Sequence, residues 1–306
     1  MPELPEVETI RRTLAPDLIG RRVVAVTLHR QDIVTGAARS ADLLVNHFIT
    51  SLERRGKQLA IIAAPRAATP HAHAPSRPLV IHLGMTGQLL FLNPNQQPTQ
   101  ADHIHAQWTL TDKRGRITGT LLFRDPRRFG GLFTYRSLDA LNLVWSSLGP
   151  DALEPPPHDH PSLARLWRSR RAIKAALLDQ SCLAGVGNIY ADESLHAARI
   201  HPARSAATLT PDERAAILNA IRAILARSIA AGGSTLRDYK DSSGRDGAFQ
   251  SHHRVYGRGG QPCLECLRPL TSKTLGQRTT VWCQVCQPRR RQKAPRPSEL
   301  STTPSQ

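Results

Sequence analysis

The stretch PCLECLRPLTSKTLGQRTTVWCQVC, residues 262–286, limits the fold more than any other part of the chain. Cys263 and Cys266 form one Cys-x-x-Cys step, and Cys283 and Cys286 form another, with sixteen residues between the pairs. Two such knuckles place four thiolates tetrahedrally around one Zn²⁺ on a β-hairpin. A disulfide pair suits an oxidising compartment, which nothing else in the chain points to. A redox pair occurs singly and inside an alternating α/β pattern. Four cysteines also leave no open coordination position, so the expected ion is structural. Between the knuckles, LGQRTT projects Arg278 from the hairpin. The fifth cysteine, Cys182, stands alone in an apolar stretch and reads as a small buried residue.

What such a hairpin is for depends on charge. Lys and Arg number 41 against 24 Asp and Glu, a formal net charge of +17 over 306 residues. That surplus exceeds what solubility requires and calls for a polyanion, nucleic acid first, because each phosphate contact releases a counterion. No stretch approaches the roughly 20 apolar residues of a membrane span. The N-terminus carries acids where a secretory signal has a basic and then an apolar run. The chain is therefore expected to be soluble and cytoplasmic.

The hydrophobic pattern divides the chain and predicts an α+β protein. ELPEVETIRRTLAPDLIG has Val7, Ile10, Leu14 and Leu18 at helical spacing. RVVAVTLHR, QLAIIAA, PLVIHLG, GQLLFL, HAQWTL and GTLLFR then read as strands, which predicts an N-terminal antiparallel β-sandwich with flanking helices over residues 1–136. The Pro-, Ala- and His-rich 64–78 segment reads as an exposed loop insertion. Helical patterns follow over 137–250: SLDALNLVWSSLG, SLARLWRSRRAIKAALLDQ, IYADESLHAARI and PDERAAILNAIRAILARSIAAGG. A zinc-finger hairpin over 251–288 and a disordered basic tail over 289–306 complete the chain.

Three further stretches carry chemistry. The turn Gly185-Val186-Gly187-Asn188 opens onto a helix, and its N–H groups with the Asn188 side chain suit one phosphate. The preceding RSRRAIK supplies Arg168, Arg170, Arg171 and Lys174, so the pair looks like a helix-two-turn-helix DNA module; taken alone, the turn reads first as a tight helix–helix connection. DPRRFGG, with HLGMTG upstream, projects Arg127 and Phe129 to one side, a cation and a ring suited to wedging into a duplex. Lys57 stands just ahead of an apolar strand. At the start, MPELPEVETI reads on its residues alone as a proline-led helix. Removal of Met1 would instead leave Pro2 as a secondary amine at the chain end.

MPELPEVET, RRGKQLAI, HLGMTG, DPRRFG, AGVGNIYADESL, IHP, VYGRGGQPC and the four-cysteine finger occur in the order of the bacterial formamidopyrimidine-DNA glycosylase family. The resemblance spans residues 1 to about 287. It implies a bifunctional glycosylase and abasic-site lyase of base excision repair, a monomer acting on double-stranded DNA that holds oxidised purines or abasic sites. On this resemblance Pro2 is the nucleophile and Glu3 the general acid. Lys57 serves β-elimination, Arg278 serves δ-elimination, and Glu6 is an acid near the amine. Met85, Arg127 and Phe129 fill the space of the flipped nucleotide, and Lys174 and Asn188 contact DNA phosphates. His103 falls on the first histidine of the family's HDHV, which here reads HIHAQW. Arg170 lies where the family carries a second lysine. An endonuclease VIII-like glycosylase for oxidised pyrimidines shares the Pro2–Glu3 chemistry, and a non-enzymatic zinc-hairpin DNA binder would account for the charge and finger alone.

Overall fold

The computed structural model of the chain describes residues 2–36, 43–65, 76–98, 100–236 and 238–289. Most of the 64–78 insertion and nearly all of the basic tail lie outside the described residues. The first helix, α1 (Leu4–Leu18), begins where Pro5 in its first turn has no N–H to lose. It ends at Ile19, followed by Gly20 in the left-handed region. Its buried stripe of Val7, Ile10, Leu14 and Leu18 faces the sheet, and each of these side chains contributes about 1.5–3 kcal/mol by leaving water.

Nine strands form one continuous sheet in the order β2-β9-β5-β4-β3-β1-β7-β8-β6. They are β1 (Arg22–Leu28), β2 (Val34–Thr35), β3 (Phe48–Arg55), β4 (Gln58–Ala64), β5 (Arg77–His82), β6 (Gln88–Leu92), β7 (Ile104–Thr111), β8 (Ile117–Arg124) and β9 (Gly131–Thr134). Pairing is antiparallel throughout, except for the short parallel contact of β2 with β9. The expected antiparallel domain is present, and hydrogen bonds join all its strands into one sheet. α1 packs on β3, on β4 and on the edge strand β6, so the sheet closes over the helix. β3 was not among the expected strands. A bulge between Ile49 and Ser51 puts its buried Ile49 and Leu52 three residues apart, which breaks the alternation that marks a strand.

The helical half contains α2 (Leu138–Trp145), α3 (Ala164–Trp167), α4 (Ile173–Leu177), α5 (Asn188–Ala197) and α6 (Pro211–Ala230). α2 corrects the expected grouping: Leu141 and Trp145 pack with Ala60, Ile62 and Val80 on the other face of the sheet. The helix expected to run unbroken through RSRRAIK is split. α3 is capped at Arg168, and residues 169–173 bond to the 204–207 backbone instead, through Ala207 N to Ser169 O (2.9 Å), Ala206 N to Arg171 O (3.1 Å) and Ile173 N to Arg204 O (2.6 Å). The remaining strands, β10 (Thr271–Leu275) and β11 (Arg278–Trp282), make the expected hairpin.

The cores interlock. Leu4, at the start of α1, is buried among the helices, while Tyr239, beyond α6, is buried against the sheet. No helix among the described residues is long and apolar enough to cross a membrane.

Candidate active site

The two glycines before α5 are explained by the start of the chain rather than by a phosphate. Leu4 N donates to Gly185 O (3.2 Å), and a Cβ on Gly185, at φ +112°, would lie 2.3 Å from Leu4 Cδ1. Glu3, buried, sends its carboxylate onto the first turn of α5, accepting from Ile189 N (3.0 Å) and Tyr190 N (3.4 Å). A side chain on Gly187 would collide with that carboxylate. The N–H groups and positive helix end expected to hold a DNA phosphate therefore hold Glu3. Pro2 is buried beside it.

Glu6 secures this arrangement from one turn later. Its carboxylate accepts from Glu3 N (2.8 Å), Ser234 N (2.8 Å) and the Tyr190 hydroxyl (2.5 Å). Burial raises the Glu6 pKa, and the charge of Glu3 adds to that, against the pull of the three donors. Glu6 thus joins the residue after Pro2 to the segment beyond α6.

Lys57 arrives from the sheet. It stands in the two-residue turn between β3 and β4, behind Gly56 at φ +56°. Gly56 N donates to Asp151 Oδ2 (2.9 Å), and Gly56 O accepts from Arg54 (3.0 Å). Arg54 itself bridges Glu8 and Asp151. Burial lowers the Lys57 pKa, assisted by Arg278 and opposed by Glu3 and Glu6. The amine is thereby brought closer to exchanging a proton at neutral pH.

The finger supplies the third member. The four cysteine sulfurs lie within 4.8 Å of one another, with Cys263–Cys286 at 3.9 Å and Cys266–Cys283 at 3.4 Å. Thiolates at tetrahedral zinc stand about 3.8 Å apart, given bonds of about 2.3 Å, so this donor set fits the ion. Arg278 opens β11 on the exposed side of the hairpin.

A cleft of about 460 Å³ brings these groups together: Glu3, Lys57, Met85, Asn188 and Arg278 all line it. Five segments far apart in the chain thus meet at one cleft. His82 lines the cleft too, its pKa lowered by burial and then by Lys57. The reading of HLGMTG passed over it, although its place at the end of β5, three residues before Met85, is the signal that would have found it. Gln180 and Tyr256 were likewise missed; Gln180 braces the glycine turn by accepting from Gly185 N and donating to Val186 O.

The exposed loops at the rim are joined to each other. The Thr86 hydroxyl donates to Asp125, Gly130 N donates to the other Asp125 oxygen (2.7 Å), and Arg127 N donates to Thr86 Oγ1 (3.2 Å). Met85 and Phe129 are half exposed, and the Arg127 guanidinium lies 4.8 Å from the Phe129 ring centre. His103, at φ +61°, pairs with Asp102 (3.0 Å), and Arg170 is exposed in the connection between α3 and α4. Neither lines the cleft.

Lys174 is the clear departure. It is buried, with Nζ 2.7 Å from Asp192 Oδ1 and donating to Thr279 O and Thr280 Oγ1, both at 2.9 Å. Two of its protons go to β11, its charge is paired with Asp192 and its side chain is enclosed, so no phosphate reaches it in this arrangement. Burial pushes the Lys174 amine down and the Asp192 carboxyl up to about 6, each against the pull of the other's charge.

Two family models match the chain: the formamidopyrimidine-DNA glycosylase N-terminal domain over residues 1–132 and the formamidopyrimidine-DNA glycosylase H2TH domain over 148–240. The formamidopyrimidine-DNA glycosylase of Thermomicrobium roseum is 42% identical, the match covering 94% of this chain and 99% of that one. The crystal structure of MutM (Fpg) from Thermus thermophilus is 38% identical with a TM-score of 0.75, covering 94% of this chain and 98% of that one. Lactococcus lactis Fpg, solved with DNA containing an abasic site, is 29% identical with a TM-score of 0.78, covering 94% and 100%.

Proposed function

The chain belongs to the formamidopyrimidine-DNA glycosylase family, and we propose that it excises oxidised purines from duplex DNA through a Schiff base on Pro2, then cuts the strand by β- and δ-elimination. The convergence of Glu3, Lys57 and Arg278 in one cleft beside Pro2 carries this reading.

With Met1 removed, Pro2 presents a secondary α-amine, whose ordinary pKa near 7.7–8.0 leaves far more free base at neutral pH than a lysine does. The Pro2 nitrogen attacks C1′ of a flipped nucleotide, the bond to the base breaks, and the base leaves with its electron pair and a proton. Glu3, held at the first turn of α5, gives a proton to the ring oxygen as the sugar opens, and the nitrogen lone pair forms the iminium. Being secondary, the amine stays cationic in this adduct without a proton. Loss of a C2′ proton then expels the 3′ phosphate, with Lys57 placed to move that proton. A second elimination, served by Arg278, expels the 5′ phosphate. Cys263, Cys266, Cys283 and Cys286 hold a structural Zn²⁺ that orders the hairpin beneath Arg278. Met85, Arg127 and Phe129 enter the duplex where the nucleotide leaves it. Asn188, His103 and Arg170 contribute phosphate contacts, and one cleft per chain suits a monomer.

Borohydride trapping tests this. Protein with a processed N-terminus should become covalently attached to 8-oxoguanine or abasic-site DNA, and protein carrying an uncleavable N-terminal extension should lose trapping and strand cutting by about a hundredfold or more. Full activity in the extended protein would overturn the proposal. Faster removal of thymine glycol than of 8-oxoguanine would reassign the substrate to oxidised pyrimidines.

A further inference from the structure

A buried lysine with no solvent access and no place in the reaction needs an account of its own. Lys174 lies on α4 and Asp192 on α5, and both side chains are almost wholly enclosed, at 2% and 1% exposure. Enclosing an ion pair is costly, and apolar side chains of the same size would hold two helices together at least as well. What the charged pair adds is direction. Lys174 Nζ donates to Thr279 O and Thr280 Oγ1, and Asp192 Oδ2 accepts from Val281 N at 3.0 Å. Asn188 Nδ2 gives Thr279 O a second donor at 3.0 Å. Three consecutive residues of β11 are gripped in this way, and they begin immediately after Arg278.

The hairpin needs such a grip. It is two-stranded, and a two-stranded hairpin alone is marginal in water. The zinc site orders its base, while Arg278 stands at the other end, next to the Gly276–Gln277 turn. Something else must set where that end points.

We infer that Lys174 and Asp192 are positioning residues for Arg278, holding the strand that follows it so that its guanidinium enters the cleft beside Glu3 and Lys57. The inference rests on the proposed function in taking Arg278 as the group for the second elimination. The lysine acts through the backbone of the finger and touches no DNA.

The test uses the full, zinc-loaded chain with Lys174→Met, Asp192→Asn and Thr280→Val. One arm measures hydrogen exchange at residues 279–282; the other measures the products from an abasic-site duplex. For Lys174→Met and Asp192→Asn, exchange at Val281 should accelerate, and the share of product ending in a 3′ phosphate should fall about tenfold, as misplacing one reacting group allows. Trapping and the first elimination should stay within about threefold of the parent, because Pro2, Glu3 and Lys57 are held by other contacts. Unchanged exchange, or an unchanged product ratio in a zinc-replete variant, would overturn the inference. Should Lys174→Met not fold, Thr280→Val removes the hydroxyl that accepts from Lys174 Nζ and donates to Arg278 O (3.2 Å), and should shift both readouts by about threefold or more, the worth of one to two hydrogen bonds; no shift would overturn the inference equally. If the parent itself yields no second-elimination product, the proposed role of Arg278 fails, and the exchange arm judges the grip alone.

Discussion

Two hairpins bring a cation to the same cleft, and they are built alike but supported differently. Both have two-residue turns opened by a left-handed glycine, Gly56 in one and Gly276 in the other. Lys57 stands in the first turn, and Arg278 immediately follows the second. The β3–β4 hairpin lies inside a nine-stranded sheet, flanked by β1 and β5, and shares a large apolar core. The β10–β11 hairpin stands alone over a cluster of Val255, Cys263, Leu270, Val281 and Cys283. That is too little apolar burial to order a strand pair, so a metal site and a buried ion pair do the work that neighbouring strands do for the other. Equivalent local geometry therefore needs different tertiary support.

Removing the metal should separate the two hairpins most sharply. Chelation, or Cys266→Ser, withdraws about 10 kcal/mol or more of metal-coupled folding from the finger alone. Exchange protection over β10–β11 and strand cutting should be lost, while protection in β3–β4 stays at the parent level. Protection of β10–β11 that persists in metal-free protein would remove the contrast.

A smaller loss is expected on the Lys57 side. Arg54, 8% exposed, ties Glu8 on α1 to Asp151 and to the carbonyl of Gly56. Arg54→Met leaves the buried Glu8 and the partly buried Asp151 short of a partner and should cost about 3 kcal/mol in urea unfolding. Metal content should not change. A loss under about 1 kcal/mol would mean that the sheet alone sets the Lys57 turn.

Acid gives the smallest effect. Burial by itself would raise the Glu8 carboxyl, but Arg11, Arg12 and Arg54 outweigh it and hold it at about 2. A folded pKa below the ordinary 4.5 means the contribution is present above 4.5 and is lost as pH falls toward 2. Glu8→Gln should therefore lower Tm at neutral pH, and the gap from the parent should narrow steadily below pH 4.5. A constant gap would show that Glu8 packs but does not pair.

Much of this was legible in the residues. Cys-x-x-Cys spacing is a local pattern that predicts a local object, and the four sulfurs meet as it requires. PELPEVET and DPRRFG marked the segments that reach the cleft and its rim. The misses share one cause, contacts made across long separations. The 169–173 segment carries a helical pattern, yet its backbone bonds to 204–207, and that pairing overrides propensity. Lys174 read as a phosphate ligand from the family resemblance and its place in the basic RSRRAIK stretch; its partners come from α5 and from the finger. The helix end expected to take a phosphate takes Glu3, nearly the whole length of the two domains upstream. His82 drew no notice because an isolated histidine after a strand has no pattern to mark it.

Sequence alone determined the metal-binding knuckles, the polyanionic partner, the α+β division and the segments that carry chemistry, because each follows from composition or short-range spacing. Only the tertiary structure decided which charges face the cleft and which are spent inside. Burial and pairing between separate elements settle that, from Lys174 with Asp192 to Glu3 with Ile189, and no short stretch of chain encodes them.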